Sequence, residues 1–488
     1  MKQYTHRFLA RIIVEAETPL AIGNGEKDIT SDALVAKDVN GMPYIPGTAV
    51  AGVVRSMLKQ TDNNSDQYGR TLTDIFFGYN ETKEQARIRA QAQQSNNEKI
   101  EDLSNGSEII FSEGKILNSE GKVIDGLDMA AKDDTLLQNY TELPIRQHVK
   151  INSRGVTDKT GKFDNEIVFI GSRFCFEIEV VAENESLEQF SNVLDQIQNE
   201  SFRIGGGTRK GYGKIKVIEL KKKTLDLTNP EELKQYLEKS SCLSENWNHW
   251  NVESIAKIES KDYIKYELSL TPEDFFLFGS GFGDDQADMT PVKARIVNWI
   301  SNNDGKMSSE NILIPATSVK GALAHRVAYH YNKIKQFYAG DPNAKVGKDN
   351  KAVFELFGSE GEKIGNDFQN QKRGNVIFSD VIEMSPKEAF EKMLNHVAID
   401  RFTGGAIDGA LFTEKTIYAK GKDFKMTILA KKTALEDNDV KTALEESLKD
   451  ICKGLLPLGG GVNRGNGVFE GELKRNKEII YSKKEDNL

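Results

Sequence analysis

The sequence is poor in cysteine and contains no long apolar run. Cys175, Cys242 and Cys452 are the three cysteines in 488 residues, and no two of them form a CxxC pair. This spacing excludes a disulfide framework and the usual zinc ribbons, and it favours a reducing compartment. No apolar stretch approaches the ~20 residues that a membrane span needs. The N-terminal residues lead into an alternating strand pattern rather than a signal-peptide core, so we expect a cytoplasmic protein without a membrane partner.

Basic residues are also fewer than acidic residues. The chain has 65 lysines and arginines against 74 acidic residues, a formal net charge of −9. This balance is not typical of a nucleic-acid-binding protein, although binding depends on the local potential rather than on net charge. Residues 203–223 are the exception, because eight basic residues there accompany a single acid, Glu219. This segment is compatible with RNA binding and equally with a solvated strand and turn.

What the sequence does contain is a glycine-rich stretch that occurs twice, at 204–217 and 458–469. Each copy has five glycines with the same spacing and a cation at the same position. Glycine lets a ligand approach the main chain, and a glycine loop with a cation can bind phosphate. A tight turn is the alternative, but the repetition favours phosphate or nucleic-acid contact. The residues predicted to make it are Gly205, Gly206, Gly207, Arg209, Lys210, Gly459, Gly460, Gly461 and Arg464.

Further motifs repeat in the same order along the two halves of the chain. Residues 45–48 match 314–317, and residues 148–152 match 396–400. Ordered matches over some two hundred residues indicate that a whole domain was duplicated. Strands interleaved with helices favour α+β domains with antiparallel sheets. The predicted organisation is a first domain, a connector, a second domain and a frayed tail, at 1–223, 224–260, 261–482 and 483–488.

The helix start at 44–56, YIPGTAVAGVVRS, resembles that of the RAMP superfamily of CRISPR-associated proteins. Residues 396–414 are similar to a hairpin of the repeating backbone subunit of type III CRISPR effector complexes, and two copies in one chain resemble the fused subunits of III-D-like complexes. The resemblance implies two tandem ferredoxin-like (RRM-like) domains with inserted thumb hairpins near 144–171 and 395–421. It also implies binding to a CRISPR guide RNA, with complementary target RNA and other effector subunits as further partners.

The same resemblance suggests candidate catalytic residues. The family pattern Asp-x-Pro-Val-x-x-Asp is present at 32–38 with Leu34 in place of proline. It implies that Asp32 binds hydrated Mg²⁺ or another divalent metal, with no tightly bound cofactor, and that target RNA is cleaved by transesterification. An aspartate that only caps a turn is the alternative. In the second copy Asp288 comes one residue early, so an ungapped alignment places Met289 at the catalytic position. Asp288 is the candidate there, and a second copy that only binds RNA is the alternative.

The resemblance also implies RNA contacts outside the glycine loops. They are Arg55, Lys320 and Arg326 in the two matching helices, and Arg401 and Phe402 in the second thumb. Surface salt bridges are the alternative for the helical residues. A hydrogen-bonded structural role is expected for the two histidines that begin the thumb motifs, His148 and His396.

Two other functions remain open from the sequence. One is an RNA scaffold without nuclease activity. The other is a guide-processing endoribonuclease of the same superfamily, which relies on an early histidine and needs no metal. Here the early histidine is His6, which the pattern places ahead of the first strand.

Overall fold

A computed structural model provides the structure of the chain. It describes residues 4–27, 31–62, 65–66, 70–82, 103–152, 154–182, 187–245, 247, 250–364, 367–369, 371–383 and 389–483. Within them, no helix is both long enough and apolar enough to cross a membrane.

The first half folds around one antiparallel sheet. The strands of this half are β1 (His6–Ala16), β2 (Ile109–Phe111), β3 (Lys115–Ile116), β4 (Ile145–Ile151), β5 (Thr157–Glu166), β6 (Arg173–Ala182), β7 (Ile215–Asp226) and β8 (Asn251–Val252). Its helices are α1 (Gly47–Thr61), α2 (Leu72–Phe77), α3 (Leu187–Ile197) and α4 (Pro230–Leu237). The sheet order is β2-β6-β1-β7-β8, with β3 also paired to β6.

The second half repeats this plan. Its strands are β9 (Tyr263–Pro272), β10 (Phe275–Phe276), β11 (Lys293–Ala294), β12 (Val297–Ser301), β13 (Asp304–Met307), β14 (Asn311–Ile314), β15 (Gly358–Ser359), β16 (Glu362–Ile364), β17 (Asp367–Gln369), β18 (Lys372–Arg373), β19 (Val376–Ile377), β20 (Val381–Glu383), β21 (Phe390–Ile399), β22 (Ala406–Tyr418), β23 (Phe424–Lys431), β24 (Phe469–Arg475) and β25 (Glu478–Ser482). Its helices are α5 (Ala316–Ile334), α6 (Lys351–Phe357) and α7 (Asn438–Cys452). The main sheet has the order β19-β23-β9-β24-β25.

The two sheets share one topology. If four strands in each half are numbered along the chain, both sheets have the spatial order fourth, first, third, second: β7-β1-β6-β2 and β24-β9-β23-β19. Helices α1 and α3 connect these strands in the first half, and α5 and α7 do so in the second. This is the ferredoxin-like arrangement, so the predicted α+β tandem duplication is confirmed.

Alternation along the first strand places its side chains on two different cores. Phe8, Ala10 and Ile12 face the helices and are buried in the main core of the first domain. Leu9 points to the opposite face, where it packs against Trp247 and Trp250. The segment predicted as a connector therefore covers the back of the first sheet. The predicted domain boundaries stay predictions, and β7 runs past the first of them to Asp226. The strand β1 includes His6, which the sequence pattern had placed ahead of it.

Both thumb hairpins are present. Strands β4 and β5 pair as the first thumb, and β21 and β22 pair as the second. The second thumb begins at Phe390, earlier than the predicted residue 395.

A third hairpin, β12–β13, joins the two domains. We call it the bridging hairpin. The backbone N–H of Val297 donates to Ile170 O at 2.8 Å, and the indole Nε1 of Trp299 donates to Gly171 O at 2.8 Å. The guanidinium of Arg173 lies 4.0 Å from the centre of the Trp299 ring. Val297 belongs to the core of the first domain, so part of that core is supplied by the second half of the chain.

Candidate nucleic-acid interface

The two glycine loops have the same backbone construction. Gly205, Gly207, Gly211 and Gly213 have positive φ, and so do the four matching glycines of the second loop. The N–H of Gly206 donates to Ala21 O at 2.7 Å, and the N–H of Gly460 donates to Leu277 O at 2.7 Å. These amides are already bonded within their own domains. These two amides are therefore not available to an anion, and the loops offer their cationic side chains as well.

The surroundings of the two loops differ. The first loop packs against the second domain, where Arg209 Nε donates to Gly374 O at 2.8 Å and Arg373 donates to Thr208 Oγ1 at 3.0 Å. A Cβ atom on Gly211 would lie 2.5 Å from Ala316 Cβ, at the start of α5. In the second loop Arg464 and its neighbours are exposed. Matched sequences thus lie in a junction in one copy and at the surface in the other.

A buried ion pair fixes this junction beside the first thumb. Asp380 Oδ2 accepts a hydrogen bond from Arg146 at 3.1 Å, and its Oδ1 accepts one from the Ala316 N–H at 2.8 Å. The Arg146 and Asp380 side chains are 8 % and 1 % exposed. Because a buried charge is costly without a partner, this pair ties the thumb base to α5.

Two lysines at the junction, Lys210 and Lys320, have no comparable ion pair within the described residues. Lys320 extends from α5, and burial together with the nearby charges of Lys210 and Arg209 lowers its pKa to about 8. Burial also lowers the pKa of Lys210. Glu360, itself 90 % exposed in its side chain, is the acid whose charge acts on both lysines. Within the described residues neither lysine forms a salt bridge, so this site favours an anion.

The base of each thumb carries a stacked histidine and phenylalanine under a cation. His148 stacks on Phe163 with ring centres 4.9 Å apart, and Lys210 Nζ lies 4.3 Å from the Phe163 ring. In the second copy His396 stacks on Phe412 at 4.8 Å, and the Arg464 guanidinium lies 5.4 Å from that ring. The glycine loop and the thumb of each domain therefore form one surface.

The histidines at the two thumb bases have different hydrogen-bond partners. The Tyr212 hydroxyl lies 2.9 Å from His148 Nε2. Burial, followed by the charges of Lys210 and Arg146, lowers the pKa of His148 to about 4. In the second copy the buried carboxylate of Glu414 contacts His396 Nε2 at 3.0 Å and Arg464 at 2.5 Å. The charge of Arg464 is therefore paired, unlike that of Lys210.

The two helical arginines predicted to contact RNA are also paired. Arg55 donates to Asp74 Oδ1 at 3.1 Å and to Gly78 O at 3.0 Å. Arg326 Nε donates to Asp450 Oδ2 at 2.5 Å, and His330 Nε2 lies 2.7 Å from the same oxygen. Salt bridges of this kind were the alternative to RNA contact for the helical residues. The RNA contacts of Arg55 and Arg326 stay predictions.

The turn of the second thumb presents Arg401 and Phe402 to solvent. Asp400 Oδ1 accepts hydrogen bonds from the N–H groups of Phe402 at 3.0 Å and Thr403 at 2.8 Å, which shapes the turn. Phe402 is 98 % exposed. An aromatic ring held outward in this way is available for stacking.

Both candidate catalytic aspartates lie beside the second strand of a thumb. The N–H of Asp32 donates to Asp164 Oδ1 at 2.8 Å, and the N–H of Asp164 donates back to Asp32 Oδ2 at 3.3 Å. In the second copy the N–H of Asp288 donates to Thr413 O at 2.9 Å, and Thr413 N–H donates to Asp288 Oδ2 at 2.8 Å.

These contacts place Asp288 where the first copy has Asp32. Asp164 directly follows Phe163, and Thr413 directly follows Phe412, which is the matching ring of the other thumb. The ungapped alignment, which selects Met289, is therefore wrong as a guide to this position.

The ligands available for a metal are few. Within the described part of the chain, no group of three or more histidine, cysteine, aspartate or glutamate side chains is placed to hold a metal ion. Asp32 and Asp164 nevertheless bring two carboxylates together, and Mg²⁺ uses one or two carboxylates while keeping several waters. The first copy thus fits a hydrated divalent cation. Asp164 was missed in the sequence because it lies 132 residues from Asp32.

Comparisons with known proteins agree on the family. A family model described as the RAMP superfamily matches residues 13–216 and 308–470. The chain is also similar to a protein of Methanocaldococcus jannaschii named CRISPR system Cms endoribonuclease Csm3. The two are 23 % identical over 267 residues, which cover 51 % of this chain and 90 % of that protein. A match of half of one chain to most of another fits two copies of one unit.

Proposed function

Because the chain belongs to the RAMP superfamily, we propose that it is a backbone subunit of a type III CRISPR effector ribonucleoprotein, of the fused III-D-like kind. It binds guide RNA and has complementary target RNA and other effector subunits as partners. The observation that carries this proposal is the pair Lys210 and Lys320, two partly desolvated cations from different domains that form no salt bridge within the described residues. The name of the similar archaeal protein supports the same assignment.

The pair of lysines suits a phosphodiester backbone. An RNA phosphate between them would relieve their mutual repulsion, and its binding would release counterions from the strand. Their position at the base of the first thumb puts the strand beside Phe163, with Lys210 already over that ring. In the second domain, Arg464 and the thumb residues Arg401 and Phe402 form the corresponding surface, where Phe402 can stack on a base.

The proposed chemistry is cleavage of target RNA next to Asp32. Asp32 and Asp164 would hold a hydrated divalent cation, Mg²⁺ or a similar ion, which would supply charge stabilisation at the phosphate. In transesterification the 2′-oxygen forms a bond to the adjacent phosphorus and loses its proton, while the bond to the 5′-oxygen breaks and that oxygen gains a proton. The products are a 2′,3′-cyclic phosphate and a 5′-hydroxyl. The N–H of Asp164 orients Asp32 for this role, and Thr413 does the same for Asp288.

The binding proposal is tested with Lys210→Ala combined with Lys320→Ala. The full chain and labelled RNAs of unrelated sequence are mixed at several salt concentrations. We expect affinity to fall at least tenfold for every sequence, and the slope of log K against log salt to decrease by about 1.4 for two lost single-strand contacts. Lys441→Gln, on α7, is the matched control. Unchanged affinity and slope in the double variant would show that the lysines do not bind RNA.

A second candidate function is an RNA scaffold without nuclease activity. The observation that favours it is the small number of potential metal ligands at either aspartate in the described residues. A labelled complementary RNA, incubated with the guide-loaded protein with and without Mg²⁺, separates the two functions. Regularly spaced, Mg²⁺-dependent cuts support the nuclease, and intact RNA that stays bound supports the scaffold.

A further inference from the structure

A cleft opens on the helical side of the first domain, where the second domain begins. It has a volume of about 460 Å³ and lies between α1, α3, residues 258–263 and Arg373. We call it the arginine cleft because Arg203, Arg209 and Arg373 line it. Its volume falls within the range of about 300–1,000 Å³ that is usual for small-molecule sites.

The deepest of these arginines has no salt bridge within the described residues, although the charges of Glu17 and Glu200 act on it. Arg203 is 5 % exposed, and burial lowers its pKa to about 10. One terminal nitrogen donates to Glu200 O at 2.7 Å and to Phe202 O at 2.9 Å, whereas its Nε has no hydrogen-bond partner within the described residues. An unsatisfied buried donor on a charged group is costly. Arg203 lines the cleft, so an anion bound there would compensate the charge of its buried guanidinium.

The other two arginines reach the same cleft from the opposite side. Arg209 extends towards the second domain, with its guanidinium 3.4 Å from the Tyr263 hydroxyl and bonded to Gly374 O. Arg373 is exposed and contacts Thr208. Within the described residues none of the three arginines forms a salt bridge, and the acidic residues of the cleft, such as Asp195 and Asp262, lie on its exposed rim.

The arginine cleft is distinct from the site of the two lysines. Arg209 and Lys210 are consecutive, but Arg209 turns to Gly374 and Tyr263, whereas Lys210 turns to Phe163 of the thumb. The remaining lining is mixed: it includes the apolar Val53, Met57 and Ile258 and the charged Glu259 and Lys261, besides neutral polar groups. The neutral polar groups include Tyr263 and the amide side chains of Gln60, Asn192 and Asn199. Amide groups both donate and accept hydrogen bonds, as the edges of nucleobases require.

We propose that the arginine cleft binds a free mononucleotide, with its phosphate held by Arg203, Arg209 and Arg373 and its base against Tyr263 and the neighbouring amides. Arginine suits phosphate because its planar guanidinium donates two parallel hydrogen bonds. This site goes beyond the proposed function, which is argued from Lys210 and Lys320, and it assigns to a free nucleotide the residue Arg209 that the sequence predicted as an RNA contact. A phosphodiester within an RNA strand shares the same phosphate chemistry and is the other possible source.

The test is calorimetric titration of the nuclease-treated full chain with AMP, with ADP and with inorganic phosphate. We expect saturable binding of AMP or ADP with one site per chain, and weaker binding of inorganic phosphate. Arg373→Gln and Arg209→Gln should each raise Kd at least tenfold. The control Lys441→Gln, on α7 and outside the cleft, should leave Kd unchanged. Arg373 is exposed, so its replacement tests the site without the risk of unfolding a core.

The remaining outcomes overturn the proposal. Absence of saturable nucleotide binding, or equal Kd in all variants, shows that the cleft is not a nucleotide site. Arg373-dependent binding of an RNA oligonucleotide without binding of AMP or ADP shows that the cleft holds a strand instead. Since the RNA-binding test uses Lys210 and Lys320, failure of one proposal is distinguishable from failure of the other.

Discussion

At the scale of single residues, Asp32 and Asp288 are held by the same kind of contact but have different neighbours. Asp32 lies beside a second carboxylate, that of Asp164, whereas Asp288 lies beside a threonine. A divalent cation should therefore bind more tightly in the first copy. We expect the first copy to cleave at lower Mg²⁺ concentrations than the second.

Substitution of these aspartates should remove separate cleavage products. Asp32→Ala should reduce cleavage at its own positions at least a hundredfold while RNA affinity stays within twofold, because the side chain is exposed and Asp164 can still cap the loop. Asp288→Ala should remove a second set of products. Gel analysis of a labelled target measures both effects.

The matched control in the second copy is Met289→Ala. It should leave the cuts assigned to Asp288 in place, because Met289 meets the thumb strand through its backbone, whereas the carboxylate of Asp288 accepts from the Thr413 N–H as that of Asp32 accepts from the Asp164 N–H. Cuts that persist in Asp288→Ala and disappear in Met289→Ala would contradict the assignment.

His148 should make the fold sensitive to acid. Its pKa is lowered in the folded chain to about 4, against an ordinary value near 6.5. Between these values the unfolded chain binds a proton that the folded chain does not, so stability is present above pH 6.5 and is lost as the pH falls towards 4. The full loss is up to about 3.5 kcal/mol at roughly 1.4 kcal/mol per pKa unit.

Denaturant unfolding from pH 7 to pH 4 measures this dependence in the native chain and in His148→Gln. The variant cannot titrate, so its free energy of unfolding should fall less over this interval. The same slope in both proteins would mean that groups other than His148 dominate the acid response.

At the scale of elements, the glycine loops depend on backbone angles that other residues rarely adopt. Gly213 has φ +88° and Gly467 has φ +79°, and an added Cβ would overlap the carbonyl oxygens of Ile204 and Leu458. Gly213→Ala and Gly467→Ala should each destabilise the chain by about 2 kcal/mol or more. Thermal unfolding measures the change.

A helical glycine provides the comparison for these variants. Gly321 lies inside α5, and a Cβ added there would meet no described atom within 4 Å apart from its chain neighbours and its own helix backbone. Gly321→Ala should therefore stabilise the chain by about 0.5–1 kcal/mol. Equal tolerance of alanine at all three positions would show that the loop conformation is not required for folding.

The sequence predicted the strands and hairpins better than the contacts between domains. The tandem duplication followed from ordered motifs such as 148–152 and 396–400, and the ferredoxin-like sheets and both thumbs followed from the resemblance to the family. The burial of Arg209 and the exposure of Arg464 could not follow from matched loops. They depend on which domain packs against each loop, and that packing is tertiary.

The same reason explains what was missed at the candidate site. Asp164 and the Asp74 partner of Arg55 come from other parts of the chain, and no short motif links them to the residues they contact. The bridging hairpin was missed because its sequence, 297–307, has no distinctive signal apart from Trp299.

At the scale of the whole molecule, the bridging hairpin holds the domains in one orientation. Trp299 donates a hydrogen bond to Gly171 O and packs against the cores of the first domain. Trp299→Ala should destabilise the first domain by about 2 kcal/mol, since the ring is only partly buried. It should also separate the unfolding of the two domains into distinct calorimetric transitions.

Ile300→Ala is the control on the same strand, because Ile300 is 73 % exposed. It should leave a single transition with an unchanged midpoint. A Trp299→Ala variant that behaves like this control would show that other contacts, such as the ion pair of Arg146 with Asp380, are sufficient to couple the domains.

That ion pair has a consequence for assembly. Arg146 and Asp380 belong to different copies of the duplicated unit but to one polypeptide, so the local concentration of each partner around the other does not depend on how much protein is present. Two separate subunits would lose such a contact on dilution. In this chain the covalent linkage of the two copies fixes the spacing between the two candidate cleavage sites. A substitution at Arg146 or Asp380 must therefore be compensated within the same polypeptide.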